Sequence, residues 1–272
     1  MPKKTCFAVS TKIPKKFRQR NDAPEKEDNT TNTSENNSSP TRTMDSTSSS
    51  STSEEYSTAL QSFPISLWPG GRILYYFEPE FTSEQRSHVI TAMGHIELAT
   101  GGRIEFIDIG QEPSDAGGYM FIGFGDSYEA TLGYVVDEPT TLTLTEAALN
   151  DKMGIVMHEI LHALGIMHEH NRPDRDNYVT ICWDNIEHHE KHNFLKAIPE
   201  DYEVFDVPYN YYSVMHYSSH SFSKDERKPT IIFKDKGVAK EFVGQRCFIT
   251  MEDLALLKKK YMYEAPAYNG WY

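Results

Sequence analysis

The sequence predicts an α+β fold, with strands and helices in its first ordered half and an irregular second half that ends in a helix. Three observations carry this. Between residues 63 and 168, short strand-like runs alternate with helix-like ones. Between 171 and 245, turn formers, Tyr, Asn and Pro are scattered, with no sustained period of either kind. At Thr250 a capped amphipathic run begins and extends to about Tyr263.

Residues 1–58 are expected to lack structure, and the globular domain is assigned to 59–272. Between Asn29 and Ser53, 20 of 25 residues are Ser, Thr or Asn, and Met44 is the one large apolar side chain. Such a stretch cannot offset its ordering entropy by burial. Its Asn-x-Ser/Thr triplets, at Asn29, Asn32, Asn36 and Asn37, matter only in a secreted chain. Residues 1–20 hold seven Lys or Arg and no acid, whereas 21–60 hold eight acids against two bases. The basic opening reads as a solvated tail, with a nuclear or mitochondrial address as the alternative.

Order is expected from Phe63. Leu67-Trp68-Pro69-Gly70-Gly71 forms a turn, and Ile73-Leu74-Tyr75-Tyr76-Phe77 an apolar strand. Thr82 with Gln85 three residues later is a capping box. It opens a helix whose apolar face takes Val89, Ile90, Met93 and Ile96 and which ends before Gly101-Gly102. Ile104 to Ile107 and Tyr119 to Phe124 read as strands, and Leu132 to Val136 and Leu142 to Leu144 as shorter ones. A further helix is expected to start at Asn150 or Asp151. Thr250 with Asp253 caps the last helix, with Leu254, Leu257 and Tyr261 inward.

The helix from Asn150 carries the chemistry. It reads His158-Glu159-Ile160-Leu161-His162-Ala163-Leu164-Gly165-Ile166-Met167-His168. His158 and His162 are four apart and share one helix face. Two imidazoles so placed can bind one Zn²⁺ at about 2.0–2.1 Å. Gly165 tolerates φ > 0, so the chain can turn there and return His168 as a third ligand. Three protein ligands leave a fourth position for water, the pattern of a catalytic zinc. Glu159 can face that open side. An ordinary buried helix with incidental histidines is the plain alternative.

Net charge is −13; the first 60 residues carry +1, leaving −14 on the rest, which disfavours nucleic acid as a partner. No apolar run reaches the roughly 18 residues of a membrane span, and no secretory signal is legible. Cys6, Cys182 and Cys247 are too few and odd in number for a disulfide framework. A Cys182–Cys247 bond is the alternative to free thiols. His188, His189 and His192 lie on a charged stretch and read as solvated, a second metal site there needing more ligands than His188 and His192 supply. His216 and His220 read as structural.

The motif continues as His168-Glu169-His170-Asn171-Arg172-Pro173-Asp174-Arg175-Asp176-Asn177-Tyr178-Val179. This resembles the astacin family of zinc endopeptidases, a metzincin branch, whose pattern is His-Glu-x-x-Arg-x-Asp-Arg-Asp-x-Tyr-Val. Asn185-Ile186, Asn193-Phe194-x-Lys196, the Met-turn Ser213-Val214-Met215-His216-Tyr217, Ser221-Phe222-Ser223, Thr230-Ile231 and Gly244-Gln245-Arg246 also fit. The likeness covers residues 59–263. It implies a zincin fold, with an upper mixed sheet and helices over an irregular lower part.

The resemblance also implies roles. The enzyme would be a zinc metalloendopeptidase acting on protein and peptide substrates, with one Zn²⁺ per subunit, expected as a monomer. His158, His162 and His168 would hold the metal, and Tyr217 would be an additional ligand. Glu159 would be the general base for the zinc-activated water, and Tyr217 would stabilise the oxyanion. Met215 would form a floor beneath the imidazoles. Glu169 would bind the amino terminus of a chain cut near Ala59. Apart from the resemblance, Arg246 is read as a cationic wall of the pocket after the cleaved bond, favouring acidic residues, with a surface salt bridge as the plain alternative. Substrate would lie along an edge strand within 119–136.

Two departures stand out. The family's prosegment motif, Phe-x-Gly-Asp, is absent from residues 1–58. The four positions of the family's two disulfides hold Arg103, Tyr128, Asn150 and Tyr263. Family members are secreted, so with these departures the compartment stays open. A catalytically silent zinc module would be expected to lack Glu159, which is present. An adamalysin-type enzyme would lack the Arg172-x-Asp174-Arg175-Asp176 run and Tyr217.

Overall fold

The computed structural model describes residues 56, 60–61, 65–113, 118–151, 153–200, 202 and 206–262. The Asn29–Ser53 tract, Phe63 and Tyr263 lie outside these residues. The upper half is one five-stranded sheet ordered β3-β2-β4-β6-β5. Its strands are β2 (Arg72–Phe77), β3 (Glu105–Asp108), β4 (Met120–Phe124), β5 (Glu129–Ala130) and β6 (Thr140–Leu144). The pairs β2–β3, β2–β4 and β4–β6 are parallel, and β5 runs antiparallel to β6 at the edge. A mixed sheet with separate helices bears out the α+β expectation.

Strand β2 alternates as its sequence predicts, with Ile73, Tyr75 and Phe77 buried. Helix α1 (Ser83–Thr100) has both capping-box bonds: Gln85 N–H donates to Thr82 Oγ1 at 3.3 Å, and Thr82 N–H to Gln85 Oε1 at 2.9 Å. Gly101, at φ 66°, ends it. Its buried face is Val89, Ala92, Met93 and Ile96. Ile90, expected inward, is exposed; Ala92 falls on the buried stripe because the helix period places it there.

The expected strand at 132–136 does not form. The edge strand instead is the two-residue β5, and Gly133 at φ 73° turns the chain just after it. The His158 helix also begins later than expected. A short α2 (Glu146–Asp151) precedes it, and α3 proper runs Met153–Ala163, lying against α1, β5 and β6. Gly154 explains the close seat of α3. A Cβ there would come 2.1 Å from the carbonyl carbon and oxygen of Arg246.

The lower half follows His168. It holds β7 (Val179–Ile181) antiparallel to β9 (Ile231–Phe233), with short 3₁₀ turns between. One pairing was not anticipated: β1 (Leu60–Gln61) lies parallel to β8 (Lys196–Ala197). Upstream of it, the Tyr56 ring stacks on Trp183 at 5.5 Å. Helix α4 (Met251–Met262) is capped by Thr250 and Asp253 as predicted, each backbone N–H donating to the other's side chain. Leu256, Leu257 and Tyr261 carry its buried face, and Leu254 is only partly buried. Cys182 and Cys247 are free thiols, so the alternative of a bond between them is overturned.

The main core joins the sheet, α1, α3 and α4, and it includes Val214 and Met215 from the loop that resembles the Met-turn. A second cluster fills the lower half and includes Tyr217. The His158 helix therefore ends where the two halves meet.

Candidate metal centre

The turn after α3 is built as the glycine predicted. Gly165 adopts φ 85°. Its N–H donates to His162 O at 2.8 Å, and Ile166 N–H donates to Leu161 O at 2.9 Å. These are the two bonds of a Schellman motif. The turn is also clamped from outside. Trp68 Nε1–H donates to Ala163 O at 2.8 Å, and Tyr261 Oη–H donates to Leu164 O at 3.1 Å. A Cβ at position 165 would lie 2.9 Å from Ile65 Cγ2. Gly165→Ala is therefore expected to destabilise the fold by about 1–3 kcal/mol through left-handed strain. Urea denaturation checks it, and an unchanged midpoint would refute the strain at this turn.

The turn brings the three histidines together. Their Nε2 atoms are 3.1, 3.2 and 3.3 Å apart, and all three residues are buried. Tetrahedral Zn–N bonds of about 2.0–2.1 Å place ligand nitrogens about 3.4 Å apart, close to this triangle. His158 Nδ1–H donates to Val214 O and His162 Nδ1–H to Ile166 O, both at 2.8 Å. Each bond fixes the tautomer and leaves the Nε2 lone pair facing the common point. Burial holds His158 and His168 well below the usual imidazole range and His162 down at about 3. Neutral imidazoles are the form a metal needs. The donor set fits zinc on geometry, tautomer and charge.

Glu159 is buried, and burial pushes its carboxyl up to about 8, with the Arg246 charge pulling it down and Glu129 on β5 pushing it further up. Arg246 is half-buried and donates from Nη1 to His216 O at 3.2 Å and to Gln245 O at 2.8 Å. The loop Ser213–Tyr217 is anchored to α4 by Asp253, whose carboxylate accepts from Ser213 Oγ at 2.5 Å and Val214 N–H at 3.1 Å. Glu169 N–H donates to Met215 O at 3.1 Å, tying this loop to the third histidine. Met215 is buried in the same cluster as Ile160 and Leu161 of α3.

Tyr217 is fully buried, its ring centroid 4.4 Å from that of His168 and 4.0 Å from that of His170. Glu169 accepts from Arg172 Nη1 at 3.1 Å and from Asn210 N–H at 2.8 Å. Burial pushes its carboxyl up to about 7 against the pull of Arg172. His216 is buried and structural as expected: Tyr209 Oη–H donates to its Nε2 at 2.8 Å, while its Nδ1–H donates to Tyr217 O. His220 is exposed. His188, His189 and His192 join no metal-ligand group; among the described residues the three-histidine cluster is the one such group. His170 went unread in the sequence because it fills an unspecified position of the motif.

The pattern of the astacin peptidase family matches residues 61–262. The chain is 35% identical over 206 residues to human Tolloid-like protein 1, covering 74% of this chain and 19% of that protein. It is 33% identical over 207 residues to Zinc metalloproteinase dpy-31 of Caenorhabditis elegans, covering 71% of this chain and 32% of that one. The chain thus spans a third or less of the length of these relatives. Among solved structures, High choriolytic enzyme 1, a hatching enzyme zinc-protease of the medaka Oryzias latipes, superposes with a TM-score of 0.59 at 25% identity. That likeness covers 70% of this chain and 89% of the medaka enzyme.

Proposed function

The chain belongs to the astacin family of peptidases, and from that premise we propose that it is a zinc-dependent endopeptidase cutting internal peptide bonds of proteins. The observation that carries the reading is the buried triangle of Nε2 atoms on His158, His162 and His168, with Glu159 beside it on the same helix. When bound, zinc supplies Lewis acidity and brings the pKa of a water towards about 7. Glu159 takes the proton from the attacking water and passes it to the leaving amine nitrogen. The Tyr217 hydroxyl donates a hydrogen bond to the carbonyl oxygen as that oxygen gains charge.

Substrate backbone adds alongside β5, the edge of the five-stranded sheet, through main-chain hydrogen bonds. Arg246, close enough to act on Glu159, favours an acidic side chain next to the cut bond. Met215 supports the imidazoles from the core, and Glu169 holds the chain beyond His168 to Arg172 and Asn210. The catalytic unit is assigned to 59–272 as a monomer with one zinc.

Metal analysis of the purified protein is expected to give one zinc per chain. Mass spectrometry of an unfolded protein substrate is expected to show internal cuts that 1,10-phenanthroline abolishes and added zinc restores. Zinc-loaded protein that leaves such substrates intact, or that trims only their ends, would overturn the reading.

A further inference from the structure

His170 is wholly buried, yet only one of its ring nitrogens is used. Its Nε2–H donates to Asn193 O at 3.1 Å, while buried Nδ1 has no hydrogen-bond partner. A ring kept in the interior with an unpaired nitrogen is not placed there for its hydrogen bonds alone. Its faces are what the packing uses. The Tyr217 ring stacks on it, with centroids 4.0 Å apart and planes 30° apart, the shortest ring separation among the described residues. The His168 ring lies 5.2 Å from it.

The ring of His170 is itself held still. Asn171 Nδ2 donates to Asn193 O at 2.9 Å and to Leu195 O at 2.6 Å. Arg175 Nη1 donates to His170 O at 2.9 Å and also to Phe194 O. These bonds lock segment 170–171 to segment 193–195. Phe194 and Phe222 close the remaining sides of the box, 5.6 and 5.5 Å from the Tyr217 ring. Of these rings His170 is the stacked one, whereas His168, at 4.4 Å, is tilted by 57° to the Tyr217 plane.

We propose that His170 is a positioning residue whose ring face sets the plane of Tyr217 and so aims the Tyr217 hydroxyl at the reacting carbonyl. The proposal rests on the oxyanion role given above to Tyr217. Stacked rings prefer an offset, near-parallel arrangement, so the plate limits how the phenol can tilt.

Two substitutions separate the ring face from the hydrogen bond. His170→Phe keeps a face and loses the bond to Asn193 O. His170→Gln can keep that bond through its amide N–H and loses the face. With zinc-loaded full-length protein and a quenched fluorescent peptide, His170→Gln is expected to lower kcat about tenfold with KM within about twofold, since small misplacement of a catalytic group is costly. His170→Phe is expected to keep kcat within about threefold. In a Tyr217→Phe background the Gln substitution should cost nothing further, because the two residues act as one unit. A readout independent of activity is the near-ultraviolet circular dichroism of the metal-free protein. There the difference made by Tyr217→Phe should shrink when His170 is Gln and persist when it is Phe.

The reverse pattern, with Gln active and Phe impaired, would overturn the proposal. So would a kcat loss for Gln that persists undiminished in the Tyr217→Phe background, or no loss at all. If the Gln variant fails to fold, the Phe variant decides. A tenfold loss there with zinc retained overturns the proposal, and near-normal kcat with the dichroism difference intact supports it. Tyr217→Phe with unchanged kcat sinks the role of Tyr217 itself, a separate measurement.

Discussion

Glu159→Gln is expected to lower kcat by about 10³-fold or more while the protein keeps its zinc. The substitution preserves shape and removes the only function the mechanism asks of this side chain, which is to hold a proton. It is not expected to weaken the fold. Glu159 is buried, and a neutral amide of the same shape meets less desolvation cost there than a carboxylate. Steady-state kinetics, zinc analysis and a melting curve on one preparation check all three statements. A kcat within tenfold of the original would remove Glu159 from the mechanism, and lost zinc would make it part of the metal site.

Arg172→Leu is expected to have the largest effect on stability, about 3–5 kcal/mol. The guanidinium is buried and forks four ways. Nε and Nη2 donate to the two carboxylate oxygens of Asp174, both at 2.9 Å, and Nη1 donates to Glu169 Oε1 and Val207 O, both at 3.1 Å. Removing it leaves Glu169 buried without its cation. Lys in its place cannot fork, so Arg172→Lys should recover little. Adding Glu169→Gln to the Leu variant should recover part of the loss, because the stranded charge is gone. Urea denaturation reads each step; a loss under about 1 kcal/mol for Arg172→Leu would show the pair to be peripheral.

What was legible in the sequence was local. The spacing of His158, His162 and His168 with Gly165 between needs one helix face and one left-handed residue. The Schellman bonds and the Nε2 triangle are their direct outcome. The boxes at Thr82 and Thr250 are three-residue signals, and both formed. What was not legible depends on distant partners. Strand β1 pairs with residues 196–197, and nothing near Leu60 announces it. Strand β5 is two residues long, below any periodic signal. The lower half lacks periodicity because side chains replace ladders there. Arg172, Arg175, Asn171 and Asn185 donate to backbone carbonyls that a helix or sheet would otherwise satisfy. Read singly, such residues look like exposed loop, and only the packed chain shows Arg175 to be buried.

The clamp on the turn after α3 has a consequence in time. One jaw, Trp68, precedes the metal helix; the other, Tyr261, comes almost a hundred residues after Leu164, whose carbonyl it holds. A ribosome therefore delivers His158, His162 and His168 well before it delivers the residue that braces their turn. Asp253, which anchors the loop carrying Tyr217, also arrives late. The nascent polypeptide thus carries the three histidines before it carries the residues that brace their turn and anchor the loop of Tyr217.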